Sequence, residues 1–180
     1  MLVSLRRAIL VSAFFLVLLG LAYPLAETGL GQAFFTSQAN GSLTHNGSSL
    51  VGQTWTGPRW FHGRPDADNP MATGGTNLGP RSKTLVTDVR QQIAKLKREG
   101  IKPTADLVTT SGSGVDPDIA PADAYAQVNA VAKARGLPVA TVRHLVAAQT
   151  HGAQLGFLGS PYINVLQLNQ ALSRLTAGQR

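Results

Sequence analysis

The stretch AILVSAFFLVLLGLAYPLA, residues 8–26, contains no charged side chain, and the rest of the chain is read outward from it. At about 1.5 Å of rise per residue, a helix over this stretch matches the hydrocarbon core of a bilayer. Gly20 and Pro24 weaken a helix in water, but membrane helices carry both more readily. Arg6 and Arg7 stand just before the run, Glu27 just after it, and the next basic residue is Arg59. Positive charge in short loops stays on the cytoplasmic side. The expectation is therefore a cytoplasmic N-terminus over 1–7, one transmembrane helix over 8–26, and residues 27–180 outside. A cleaved secretory signal is the competing pattern, because it too joins a basic start to an apolar stretch ending in small residues. The apolar run is longer than a usual signal core of about 7–15 residues, and cleavage after Ala22 would leave Tyr23-Pro24 at the new terminus. Both readings put the bulk of the chain in the same compartment.

The outer part is long enough for one compact domain. The chain has 16 Lys and Arg against 9 Asp and Glu, a net charge of +7. Without Arg6 and Arg7, fourteen cations against nine acids leave +5. Lys95, Lys97, Arg98 and Lys102 are clustered without interleaved aromatics, so they read as the polar face and end of a helix rather than a nucleic-acid surface. With no cysteine, disulfides and thiolate metal sites are excluded. The four histidines, His45, His62, His144 and His151, show no metal-ligand spacing, and no metal site is expected.

Beyond the membrane run, Phe34 and Phe35 suit an interfacial position. Asn46-Gly47 predicts a hairpin at about 42–51, since both turn positions favour positive φ. Asn40 and Asn46 each begin an N-x-S triplet, a pattern common by chance. Residues 55–79 are rich in Gly, Pro, Asp and Asn and carry Trp55, Trp60, Phe61, His62 and Arg64, which makes them either a contact surface or a loop pinned by its own aromatics. Ser82 caps a predicted helix to Arg98 with Leu85, Val89, Ile93 and Leu96 on one face, stopped by Gly100 and Pro103. Residues 105–110 read as a strand. Helices follow at 121–135, opened by Pro121 and closed by Gly136, and at 138–149, burying Val142, Leu145 and Val146. The end, from Tyr162, reads as a strand passing into a helix with Leu168, Leu172 and Leu175 inward. Without a regular βαβ period, the fold class is α+β.

The most glycine-dense turn, SGSGVDPDIAP from Ser111, lacks the Lys-Ser/Thr pair of a phosphate loop, the spacing of a dinucleotide fingerprint, the Gly-x-Ser of a nucleophile elbow and the oxygen series of a calcium loop. Its glycines suit turn conformations or an anion-binding nest, with Asp116 and Asp118 bonding to backbone N–H groups. No general acid–base pair stands out, so no catalytic residue is assigned.

Several motifs together resemble one family, the C subunit of the Kdp-type potassium-transporting ATPase. They are YPLAETGLGQ, QANGSL, LVGQ, FHGRPDA, GGTNLGP, SGSGVDPDIAPADAYAQVNAVAKARGL and INVLQLN. Three positions depart from the family pattern: Asp66 and Ala120 stand where Ser is common, and Asp118 where His is. With Ser absent at 120, Asp118 is the expected substitute support for the helix start. The resemblance implies a non-catalytic accessory subunit of the cytoplasmic (inner) membrane. Its implied partners are a channel-like potassium-binding subunit, an ATP-hydrolysing P-type subunit, a small fourth peptide and the lipid bilayer. It also implies a catalytic-chaperone role that raises the ATP affinity of the ATPase subunit; ATP is reached through that subunit, and no cofactor is tightly bound. Partner-contact candidates are Trp60, Phe61, Arg64, Asn77 and Asp116. Because positive charge at a potassium entrance repels the ion, acidic side chains such as Asp66, Asp68, Asp116 or Asp118, or neutral polar ones, are expected to face it. The rival reading is a stand-alone, membrane-anchored binding module that uses Trp55, Trp60 and Phe61.

Overall fold

The computed structural model describes residues 2–44, 46–66 and 73–177. It divides into two units, Met1–Leu43 and Thr44–Arg180.

The first unit is helical. Helix α1, Leu2–Val17, runs through a π turn, Leu18–Ala22, into α2, Tyr23–Phe34. These form one rod of 33 residues whose most apolar 18-residue stretch has a mean hydropathy of 2.4, and none of its residues is buried. An apolar rod with no protein cover suits a lipid surround. Its helix is longer than the predicted 8–26. Loss of charge marks where an apolar segment starts and stops, but backbone helicity continues wherever i to i−4 bonds are available. Beyond Ala26 those bonds persist, with the Thr28 hydroxyl also donating to Pro24 O at 2.8 Å. The π turn ends just before Pro24, which has no N–H to give and whose ring crowds the preceding turn. A one-turn helix, α3, Thr36–Ala39, follows.

The second unit mixes helices and short strands. At Asn46-Gly47 the chain reverses between β1, Leu43–Thr44, and β2, Gly47–Ser48, which pair as a two-stranded sheet. Helix α4 is Lys83–Arg98, with the Ser82 hydroxyl accepting from Leu85 N–H at 3.4 Å. Gly100 at φ +74 ends it, and Ile101 N–H returns to Leu96 O at 2.9 Å. On its predicted inner face only Leu96 is fully buried; Leu85, Val89 and Ile93 are half-buried.

The predicted strand at 105–110 is instead one helical turn, α5, Ala105–Val108. Among the described residues no strand pairs with it. The turn buries Leu107 beside Leu96, Ile101 and Ala130, while Gln92 Nε2 donates to Leu107 O at 3.2 Å. Strand β3, Asp118–Ile119, pairs antiparallel with β4, Ile163–Asn164. Helix α6, Pro121–Arg135, is followed by α7, Val139–Ala148, and α8, Val165–Ala177, continues directly from β4. The main core joins Phe61, Ile119, Val128, Val131, Val142, Val146, Ile163, Leu168 and Leu172. Leu145 and Leu175 are half-buried at its edge. Since α6 gives Val128 and Val131 to this core and Ala130 to the smaller one, it is covered on two sides. Mixed helix and strand was the expected class.

The start of α6 does not lean on Asp118. With Ala120 at the cap position, the Asp123 carboxylate accepts from Ala120 N–H at 3.1 Å, which is the N3 half of a capping box. Asp118 Oδ1 instead accepts from Asn164 Nδ2 at 2.9 Å. Burial pushes the Asp118 carboxyl up, with Asn164 working against the rise.

Candidate functional site

Residues 61–66 cross the domain without pairing to a strand, yet Phe61 and His62 are buried, so their backbone groups need partners. Two amide side chains supply them. Asn169 on α8 accepts from Phe61 N–H and donates to Phe61 O, each at 2.9 Å. Gln127 on α6 accepts from His62 N–H at 2.8 Å and donates to His62 O at 3.0 Å. Both amides are fully buried, and each completes the pair of bonds a neighbouring strand would have made.

Four residues on, Asp66 closes the segment against the glycine-rich turn. Its Oδ1 accepts from Ser111 N–H at 2.6 Å, and its Oδ2 accepts from the Ser111 hydroxyl at 2.7 Å and from Asp116 N–H at 2.8 Å. Ser111 Oγ in turn accepts from Gly114 N–H at 2.9 Å. The turn does wrap an anion, and the anion is the chain's own Asp66. Two glycines at this contact are required by proximity, Gly114 within the turn and Gly52 on the segment packed against it. A Cβ on Gly114, at φ +70, would meet Gly74 O at 2.5 Å, and one on Gly52 would meet Asp116 O at 2.7 Å.

Beside this clamp lies a cavity of about 240 Å³ lined by Trp55, His62, Arg64, Asp66, Lys95 and Asp116, among others. Two of its basic side chains pair with acids outside its lining, Arg64 with Asp106 and His62 with Glu99. Arg64 bonds Asp106 at 3.0 Å, Thr109 Oγ1 at 3.2 Å and Thr110 O at 3.1 Å. The His62 Nε2 lies 3.0 Å from Gly57 O and 3.6 Å from Glu99 Oε2. Burial pulls the imidazole's pKa down, and the Glu99 charge opposes that. Ser111 Oγ donates to Asp66 Oδ2, accepts from Gly114 N–H and lies 3.2 Å from Ser113 Oγ, which holds the loop in place. Among the described residues no three His, Cys, Asp or Glu side chains gather as a metal site would require.

The predicted contact residues are dispersed in role. Phe61 is completely buried in the main core, so its place is in packing and not on the surface. Trp60 is half-buried, 4.8 Å from Trp55 ring to ring, with the Arg135 guanidinium 4.2 Å over its face. Arg135 Nε also donates to Arg59 O at 2.7 Å. The aromatic trio of the rival reading is therefore not an open face. Arg64 and Asp116 line the same cavity, whereas Asn77 is exposed at φ +55, a conformation Asn tolerates. Of the four aspartates expected at a potassium entrance, Asp66 and Asp118 spend carboxylate oxygens internally, and Asp116 Oδ1 accepts from Asp118 N–H at 3.0 Å. Asp68 lies outside the described residues. Sequence reasoning missed Gln127 and Asn169. Their signal was a polar amide set on an apolar stripe, Gln127 beside Ala124, Val128 and Val131, and Asn169 four residues after Val165.

Comparison with known proteins covers the chain almost end to end. The profile of the family described as "KdpC: K+-transporting ATPase, c chain" matches residues 5–174. A "Potassium-transporting ATPase KdpC subunit" of Caulobacter vibrioides is 48% identical over 184 residues, covering 96% of this chain and 93% of the relative. Proteins of the same name from Gemmatimonas aurantiaca and Acidobacterium capsulatum are each 46% identical, covering 98% and 95% of this chain and 96% and 98% of their own. The matched region takes in the apolar rod, the Asp66 clamp and the two buried amides alike, and the chain belongs to the KdpC family, the c chain of the K+-transporting ATPase.

Proposed function

We propose that this chain is a non-catalytic accessory subunit of an ATP-driven potassium uptake complex, held in the cytoplasmic membrane by its apolar rod with residues 1–7 inside and the folded domain outside. The observation that carries this reading is a family match over residues 5–174, which takes in most of the rod and of the domain. An apolar rod of 33 residues and a domain whose polar groups mainly bond one another suit a brace better than a reaction centre. Its partners are a channel-like potassium-binding subunit, an ATP-hydrolysing P-type subunit and a small fourth peptide.

The accessory role includes raising the ATP affinity of the ATPase subunit. An outer domain cannot meet cytoplasmic ATP. The effect therefore passes through the apolar rod and the channel-like subunit, by stabilising one conformational state of the complex. The test measures ATPase activity against ATP concentration in complexes purified with and without this chain. A higher KM for ATP without it, restored by adding it back, is the expected result. An unchanged KM removes the chaperone role. Cross-linking of ATP to the outer domain, in sealed oriented vesicles with ATP supplied only inside, would contradict the indirect route.

A further inference from the structure

The chain contains two Asn-Gly dipeptides, each followed by serine: Asn40-Gly41-Ser42 and Asn46-Gly47-Ser48. In Asn-Gly the backbone reacts readily with its own side chain, because glycine has no Cβ to shield its amide nitrogen. Both asparagines are exposed, so access of water does not separate them. Their hydrogen bonds do. Asn40 Nδ2 donates to Thr36 O at 2.7 Å and to Gln32 Oε1 at 3.1 Å, while Asn40 Oδ1 accepts from Gln32 Nε2 at 3.3 Å. The nitrogen that would attack is engaged as well, with Gly41 N–H donating to Gln38 O at 3.0 Å. Asn46 stands at the turn between β1 and β2, and among the described residues its carboxamide has no hydrogen-bond partner.

A free carboxamide can turn its Cγ toward the following backbone nitrogen, whereas a tied one must first give up its bonds. We propose that Asn46 is a site of spontaneous deamidation in this chain, and that the lock formed with Gln32 and Thr36 protects Asn40 from the same reaction. At Asn46 the Gly47 nitrogen, its proton taken by solvent base, attacks Asn46 Cγ. The N–Cγ bond forms, the Cγ–Nδ2 bond breaks, and the side-chain nitrogen takes a proton from solvent and leaves as ammonia. Water then opens the five-membered imide at either carbonyl, giving aspartate or isoaspartate, with no change of oxidation state. The product carries one more negative charge, and isoaspartate also lengthens the backbone of the tip by a methylene. That tip is tied to the domain, since Thr44 Oγ1 donates to Gly47 O at 2.7 Å and accepts from Gln170 Nε2 of α8 at 2.8 Å. The reaction therefore acts on the link between the hairpin and α8.

The full chain in detergent is incubated in mildly alkaline buffer and digested under acidic conditions. Both asparagines are then followed by peptide mass spectrometry with fragmentation, which resolves the replacement of the amide by a carboxyl at each. Asn46 is expected to convert about tenfold or more faster than Asn40, the factor supplied by a lock worth one or two net hydrogen bonds. In urea, where both Asn-Gly-Ser sequences lose their folded surroundings, the two rates are expected to converge. Gln32→Ala, at an exposed position, removes two of the three bonds that hold Asn40. It is expected to raise conversion at Asn40 in the folded chain and to leave Asn46 unchanged. No conversion at Asn46 in the folded chain, or conversion of both asparagines at the same rate there, overturns the proposal. A ratio in urea equal to that in buffer overturns it as well, by assigning the difference to the residue before each asparagine and not to the fold. An unchanged Asn40 rate in Gln32→Ala overturns the lock.

Discussion

The apolar rod and segment 61–66 solve the same problem in opposite ways. Both must leave no backbone donor or acceptor bare in an apolar surround. In the rod, each group finds a partner about one turn away, so the solution is local and can be read from a run of hydropathy. In the domain, Phe61 is completed by Asn169, His62 by Gln127, and the turn at Ser111 by Asp66, across separations of 108, 65 and 45 residues. The difference teaches that the rod's backbone bonding depends on no one side chain, while the domain concentrates its dependence on a few polar side chains.

The sharpest break of that contrast is Asn169→Leu, close in size to the asparagine but unable to bond. It strands both Phe61 backbone groups in the core, and a loss of about 4 kcal/mol of domain stability is expected from two buried unpaired groups. Thermal or urea unfolding of the detergent-solubilised chain measures it; a loss under about 1 kcal/mol would mean that water or a shifted backbone replaces the amide. Next comes Gly114→Ala, where a methyl meets Gly74 O at 2.5 Å in a left-handed conformation. The expected loss is about 3 kcal/mol, read in the same melt. Asp66→Asn keeps one good acceptor but turns an amide toward donors, and should lose about 2 kcal/mol. Asp66→Ser, which keeps a single side-chain oxygen, should lose more than Asp66→Asn and less than Asp66→Ala.

Smaller still is a pH effect at His62. Burial, opposed by Glu99, holds its folded pKa below the ordinary value of about 6.5. The unfolded chain therefore binds the proton first as pH drops, so this contribution is complete above about pH 6.5 and is lost as pH falls toward the lower folded value. Asp118, raised by burial, acts with the opposite sign: its contribution is complete below the ordinary carboxylate range and is lost as pH rises through its raised value. Urea midpoints at pH 7 and pH 5.5 should differ less in His62→Gln than in the wild type, and an unchanged difference would exclude His62 as the source. The smallest effect belongs to the rod side of the comparison. Thr36→Val removes only the exposed bond from its hydroxyl to Gln32 O, and a change within about 0.5 kcal/mol is expected.

The same contrast explains what could be read in advance. Ser82, Pro121, Gly100 and Gly136 mark helix ends by rules that act over one turn, and each stands where those rules place it. The apolar run at 8–26 located the rod but not its length, because hydropathy does not report where a backbone helix stops. Residues 105–110 misled because an apolar, β-branched pattern that short fits either a strand or a single buried turn, and only the neighbouring Leu96 and Gln92 decide between them. Asp66 was visible as a departure from a family pattern and as a candidate at a potassium entrance, but not as the centre of a clamp. Its three bonds reach across 45 and 50 residues, and no local rule carries that far. Phe61 looked like a contact aromatic for the same reason, since nothing nearby in sequence announces the asparagine that draws it into the core.

The measurement that bears most directly on the whole account is co-purification. The chain is tagged at its C-terminus, the membrane is solubilised gently, and whatever is retained is identified and quantified. An ATP-hydrolysing subunit and a channel-like subunit recovered in fixed proportion to this chain is the predicted result. Recovery of the tagged chain alone, under conditions that keep other membrane complexes whole, would contradict it and return the domain to the reading of a free-standing anchored module.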